Sequence, residues 1–393
     1  MATVQPTLST NDSATWRGML TRPEHGQATL TAVFLLASML IVPLCTVHQA
    51  ATLYLIATVC FYYTLVRSIP AMLGLGIPLL AVYGITSSFS LTAVAAALLL
   101  GGACGAFLLI HYHDYKDLRH LCLFLIPLLA YGGATLVTRD PVRGLLVLLP
   151  LAISAVFAWC VLGYRAHTPA VIAGAGALVG ALALAFVVTL AVTGQLAGDP
   201  LGTLAARLNS AIIELFFDAR TQYAELGMEL GMTDTDIINT AAMTVNLMPA
   251  ILLSGAAILS YLSWRALLRM LLAFGSVPRI PLRLGGFTMS PFSAGLFVLS
   301  FVAALIANAE QATVGGVVLQ NLATVLEPGL ALIGFVSLFA RSSTRSCFTY
   351  ILSFGLLFVL WSNPGTGLAL AAFFGAFNIL MARFLPSPNE KGD

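Results

Sequence analysis

Charged residues are scarce in this sequence. They make up 9% of its 393 residues, whereas soluble globular domains carry about 25%. Eighteen basic and 16 acidic side chains cannot cover the water-facing surface of so long a chain, and a net charge of +2 provides no basic face for nucleic acid. The composition therefore excludes a soluble protein, a disordered protein and a nucleic-acid binder.

Motifs for disulfide, metal and nucleotide chemistry are also absent. The six cysteines lie in or beside apolar runs without Cys-x-x-Cys spacing, which argues against a disulfide framework or a zinc site. The sequence has no Walker A motif, no Gly-x-Ser-x-Gly elbow and no His-Glu-x-x-His motif. We therefore expect no cofactor, no metal and no enzymatic activity, and ATP-driven transport would need a separate ATPase.

Long hydrophobic runs dominate what is present. Hydrophobic residues form 59% of the chain, and the mean hydropathy is +0.95. Windows of about 20 apolar residues, long enough to cross a bilayer as a helix, recur along the sequence. They predict an all-α, polytopic membrane protein with about twelve transmembrane helices, near 28–45, 49–66, 70–86, 90–111, 119–137, 144–163, 169–195, 238–263, 291–308, 313–340, 345–362 and 365–384.

The positions of arginine and lysine predict the orientation. Of the 18 basic residues, all but Arg139, Arg143, Arg207 and Arg220 fall on one side of the predicted bundle. Basic residues in short loops favour the cytoplasmic side, so both termini are predicted to be cytoplasmic. The predicted regions are a cytoplasmic N-terminal segment without a signal cleavage site, seven helices, an external segment, five helices and a cytoplasmic tail, at 1–27, 28–195, 196–236, 237–385 and 386–393.

The external segment contains an amphipathic pattern. Apolar residues recur at three- and four-residue spacing from Leu201 to Leu230, with Glu214 and Asp218 on the opposite face. The pattern predicts a helix that lies along the outer membrane surface or caps the bundle. Its acidic face favours a lid or a protein partner over free lipid binding. Residues 233–236 (Thr-Asp-Thr-Asp) predict the N-cap of the following span.

Polar residues within the predicted spans are the candidates for function, because they are costly in lipid. Glu327 is the only carboxylate well inside a span, where an acidic side chain costs around 2.5–3.5 kcal/mol. Gln320 and Asn321 precede it by one to two turns, and Asn246 precedes Pro249. We predict that Glu327, Asn321, Gln320 and Asn246 bind a substrate; the alternative is hydrogen bonding within kinks and between helices, worth about 0.6–2 kcal/mol per bond.

Other patterns give weaker signals. The segment 111–114 (His-Tyr-His-Asp) supplies no complete metal shell and is typical of a span end. Gly101-x-x-x-Gly105 and Gly176-x-x-x-Gly180 are typical of close helix packing. Four arginines in a cytoplasmic loop predict either phospholipid headgroup contact or a docking surface for a protein partner; they are Arg265, Arg269, Arg279 and Arg283.

The second half of the chain, at about 240–345, resembles the YybS-like family of bacterial membrane proteins, whose function is not established. The resemblance rests on an ordered series of short motifs: Leu247-Met248-Pro249-Ala250, Tyr261 with Leu268-Arg269, Pro278-x-x-Pro281, Phe287, Pro291 and Asn321-Leu322-x-x-Val325-Leu326-Glu327. That family is thought to be distantly similar to the substrate-capture subunits of energy-coupling-factor vitamin transporters and to a rod-shape morphogenesis protein. The resemblance implies a bacterial inner-membrane protein, and no binding residue is carried over from it.

Two functional hypotheses follow. The first is a transport component that binds a small or amphiphilic substrate within the helix bundle, with the external helix as its lid. The second is a non-enzymatic membrane scaffold in an envelope-building complex, in which the arginine loop recruits a cytoplasmic or membrane partner. Both place the protein among membrane lipids.

Overall fold

All the secondary structure described in this protein is helical. The computed structural model describes residues 23–44, 48–66, 76, 79–80, 82–83, 88–116, 118–125, 129, 149–192, 194, 198–225, 231–273, 287–308, 314–341 and 347–384. The helices in these ranges are α1 (Pro23–Leu44), α2 (His48–Val66), α3 (Phe89–Tyr115), α4 (Leu149–Leu162), α5 (His167–Val192), α6 (Pro200–Glu225), α7 (Asp234–Ala273), α8 (Pro291–Asn308), α9 (Val314–Arg341), α10 (Cys347–Ser362) and α11 (Pro364–Phe384).

Several of these helices are long and apolar enough to cross a membrane. Within the described residues there are five: Ser90–Asp114, His167–Ala191, Asp234–Ala273, Gly315–Leu338 and Gly365–Arg383. The chain is therefore a helical membrane protein, as its composition predicts. Ten of the predicted spans coincide with a helix, whereas 70–86 and 119–137 lie largely outside the described residues. The count of twelve spans and the cytoplasmic termini stay predictions.

The chain forms two compact units. Unit 1 contains residues 1–165 and 261–280, and unit 2 contains residues 166–260 and 281–393. Helix α7 therefore supplies its last turns to unit 1 and its longer first part to unit 2.

Unit 1 is built around α3, a helix that is apolar on every side and almost wholly buried. Helices α1, α2 and α4 pack against it. Glycine allows the close approach of α4, because a Cβ added at Gly105 would collide with the Ser154 side chain. The Ser154 hydroxyl lies 3.0 Å from the carbonyl oxygen of Gly102, and the Ser263 hydroxyl donates to the Leu99 carbonyl at 2.7 Å. The predicted small-residue contact is thus present at Gly101-x-x-x-Gly105.

Exchanging Gly105 for alanine is expected to destabilise the protein by about 1–3 kcal/mol, because the added methyl group overfills the contact with Ser154. Gly180→Ala is the matched control, since a Cβ at Gly180 meets no atom within 4 Å. The free energy of unfolding, measured by SDS titration in mixed micelles, should fall for the first variant only. An equal response of both variants would show that helix propensity, rather than packing, sets the outcome.

Unit 2 is centred on the contact between α9 and α11. A Cβ added at Gly334 would collide with the carbonyl oxygen of Ala371, and one added at Gly375 would collide with that of Leu330. The two helices therefore touch backbone to backbone, a geometry that only small residues permit. Helices α8 and α10 pack against this pair. The rings of Phe297 and Phe373 meet edge to face with centroids 5.2 Å apart and fill the core beside α8.

Candidate functional site

The side-chain amide of Asn321 bonds to two backbone groups of α7. Its Nδ2 donates to the carbonyl oxygen of Asn246 at 2.9 Å, and its Oδ1 accepts from the Ala250 N–H at 3.2 Å. These two backbone groups, four residues apart, would bond to each other in an undisturbed helix. Pro249 lies between them, removes a backbone donor and crowds the carbonyl one turn earlier. Asn321 therefore bridges one turn of α7 at a proline.

Polar contacts between α7 and α9 continue for a further turn. The Ser254 hydroxyl, one turn after Ala250, donates to the Thr324 carbonyl at 2.9 Å. The Thr324 hydroxyl in turn donates to the Gln320 carbonyl at 2.9 Å within α9. In lipid such groups have no water to bond with, so partners on a neighbouring helix are the usual solution.

Two of the predicted substrate residues meet in this contact. Asn321 and Asn246 are brought together, but through the Asn321 amide and the Asn246 backbone carbonyl. The side chain of Asn246 is exposed. The Asn321 side chain therefore forms hydrogen bonds between helices, which was the alternative to substrate binding. Its role in substrate binding stays a prediction.

Glu327 and Gln320 lie on a different face of α9. Seven residues separate them, which places them about 20° apart around the helix, whereas Asn321 is about 120° from Glu327. Their face also carries Ala323 and Leu330, which are 6% and 0% exposed within unit 2. Glu327 stands near the centre of the span Gly315–Leu338 and is partly buried. No described residue bonds to or pairs with either side chain, so both remain available to a ligand.

Ser300 on α8 is a further buried polar group of unit 2. It is completely buried, and its hydroxyl has no hydrogen-bond partner among the described residues. Only residues 309–313 connect α8 to α9, so the two helices form an antiparallel pair. At about 1.5 Å per residue, Ser300 lies at a depth between those of Gln320 and Glu327. Sequence reasoning missed Ser300, because a single serine in an apolar helix usually bonds to its own backbone.

An apolar cavity of about 320 Å³ lies farther along α9. It is lined by Phe287, Thr288, Met289, Pro291, Leu332, Ile333, Val336, Ser337, Ile379 and Ala382. Its α9 residues Leu332, Ile333, Val336 and Ser337 lie about 80–180° around the helix from Glu327. The cavity and the carboxylate are therefore separate features.

The predicted docking arginines are only partly described. Arg265 and Arg269 lie near the end of α7, where both are partly buried and the adjacent Trp264 is fully buried within unit 1. Arg279 and Arg283 lie outside the described residues. Their role in binding a partner stays a prediction.

The histidines at the end of α3 contact aromatic and backbone groups. The Nδ1 of His111 lies 3.2 Å from the Phe107 carbonyl oxygen, and its ring faces that of His120 at 5.7 Å. Within the described ranges, no group of three or more His, Cys, Asp or Glu residues is arranged to hold a metal ion.

Comparison of the chain with protein-family models, with curated proteins and with solved structures gives no match.

Proposed function

We propose that this protein is a transport component of a bacterial inner membrane that binds a small or amphiphilic substrate beside Glu327. The observation that carries the proposal is an unpaired carboxylate at mid-span, on the face of α9 that packs within unit 2. A carboxylate at this depth is unfavourable unless it binds a cation, a proton or a hydrogen-bond donor. The structural role that competes with this one is a hydrogen bond within α9 beside Pro328, and no described residue bonds to the Glu327 side chain.

The chemistry of the site suggests its substrate class. Glu327 offers a negative charge and Gln320 an amide, and no described residue bonds to either side chain. A positively charged or donor-rich group is the natural complement of this set. No histidine or cysteine stands beside Glu327 in the sequence to share acid–base chemistry with the carboxylate, so the proposed role is binding rather than catalysis.

Glu327→Gln tests this role, because it keeps the side-chain shape and removes the charge. We expect a cationic probe, tetraphenylphosphonium or dodecyltrimethylammonium, to stabilise the wild-type protein in nanodiscs by about 2.7 kcal/mol at 100 times its Kd. The variant should show no such stabilisation. Thermal unfolding with and without probe is the measurement, and dicyclohexylcarbodiimide, which modifies carboxyl groups in apolar surroundings, should label Glu327 more slowly when the probe is bound.

Asp236→Asn is the matched control, since this carboxylate belongs to the cap of α7 and should leave probe binding unchanged. Equal responses of wild type and Glu327→Gln to the probes, with Glu327 unprotected from the carbodiimide, would remove the substrate site. The scaffold hypothesis, with its partner at the arginine loop, would then be the remaining one.

A further inference from the structure

The amphipathic helix α6 has well-defined ends. The Asp199 Oδ1 accepts from the Gly202 N–H at 3.0 Å, and Pro200 occupies the first helical position, where its missing N–H costs nothing. Seven residues separate α6 from the end of α5, and eight separate it from the start of α7. Since α5 and α7 are both long enough to cross a membrane, α6 is tethered to the bilayer at both ends.

One face of α6 is apolar and partly exposed. Residues Leu201, Leu208, Ile212, Leu215 and Ala219 share a stripe at three-, four- and seven-residue spacing. The side chains of Leu201 and Leu215 are 69% and 67% exposed, and those of Leu208, Ile212 and Ala219 are half-buried. No described helix packs along α6. The polar residues of the opposite face are exposed as well; they include Arg207, Ser210, Glu214 and Asp218.

The C-terminal end of α6 is held at the start of α7. The Arg220 Nη1 lies 2.6 Å from the Asp234 Oδ1, in the first turn of α7. Thr233 and Asp236 complete a capping box there, with the Asp236 N–H donating to the Thr233 hydroxyl at 3.2 Å. The apolar surface of α7 begins directly afterwards with Ile238, which is 49% exposed. The ion pair therefore fixes α6 within about one helical turn of the apolar part of α7.

We propose that α6 lies in the lipid–water interface, with the Leu201–Ala219 stripe against the acyl chains and Glu214 and Asp218 towards water. The sequence pattern alone favoured a lid or a protein partner, but the partly exposed stripe and the tether at Asp234 favour lipid. Three carboxylates against two arginines leave no net positive charge to attract anionic headgroups. Apolar insertion into neutral phosphatidylcholine is thus the binding mode, and it is independent of Glu327.

A pair of tryptophan variants tests the proposal in the full-length protein. Leu215→Trp places the probe on the apolar stripe, and Ser210→Trp is the matched control on the opposite face. Each is reconstituted in phosphatidylcholine nanodiscs with and without bromine on the acyl chains, and the emission of the four native tryptophans is subtracted. For a helix buried about 5–10 Å at the acyl boundary, we expect blue-shifted Leu215→Trp emission and about twofold quenching by bromolipid.

The emission of Ser210→Trp should be water-like and unquenched by bromolipid but accessible to iodide. Ala219→Trp and Thr221→Trp form a second pair on the same two faces, should either first variant fail to fold. Water-like emission on both faces would overturn the proposal in favour of a helix free in solvent. Protection of the Leu215 face from both bromolipid and iodide would overturn it in favour of a protein partner, and quenching that requires phosphatidylglycerol would contradict neutral insertion.

Discussion

Gly375→Ala is expected to destabilise the protein by about 3 kcal/mol, at the upper end of the cost of overpacking. The added Cβ would collide with the Leu330 carbonyl oxygen and lie 2.9 Å from the Gly334 backbone nitrogen. A side chain can rotate out of such a contact, but backbone atoms cannot, so α9 and α11 would have to separate. Unfolding in SDS mixed micelles measures the loss.

Gly355→Ala provides the control for helix propensity. Gly355 lies in α10, also in unit 2, and a Cβ added there meets nothing within 4 Å. Its stability should stay within about 0.5 kcal/mol of the wild type. Gly334→Ala should behave like Gly375→Ala, because its Cβ would collide with the Ala371 carbonyl oxygen. If all three variants unfolded alike, α9 and α11 would not be in backbone contact.

The positions of most helices could be predicted because a bilayer requires apolar runs of nearly constant length. The predicted span 291–308 and helix α8 have the same limits. Helix α7 differs, since it runs to Ala273 while the predicted span ended at residue 263. Arg265 and Arg269 end an apolar window but not a helix, because arginine is a good helix former.

Contacts between helices were harder to predict, because spacing along one helix does not identify its partner. Gly101-x-x-x-Gly105 lies at a close contact, whereas a Cβ at Gly176 or Gly180 meets nothing within 4 Å. Gly334 and Gly375 belong to different helices and form no such pattern with each other, yet both lie at the backbone contact between α9 and α11. Likewise, the two hydrogen bonds from Asn321 to Asn246 and Ala250 join positions more than 70 residues apart, so no local sequence pattern could predict them.

Asn321→Leu is expected to destabilise the protein by about 2–3 kcal/mol, because the Asn246 carbonyl and the Ala250 N–H would lose their partner in surroundings without water. Gln320→Leu is the matched control. It lies on the same helix, and its side chain bonds to no described residue, so its loss should change stability by less than about 0.5 kcal/mol. The free energy of unfolding in mixed micelles compares the two variants.

The proline explains why Asn321 is needed, and a double-mutant cycle tests that link. In Pro249→Ala, residue 249 regains its N–H for the Val245 carbonyl and the proline ring no longer crowds that turn, so the Ala250 N–H can bond to the Asn246 carbonyl without help. Asn321→Leu should therefore destabilise this variant less than it destabilises the wild type, and the difference in unfolding free energy should be at least about 1 kcal/mol. Equal costs in the two backgrounds would mean that Asn321 only joins α7 to α9. A reduced cost would show that the distant amide repairs the break that Pro249 makes in its own helix.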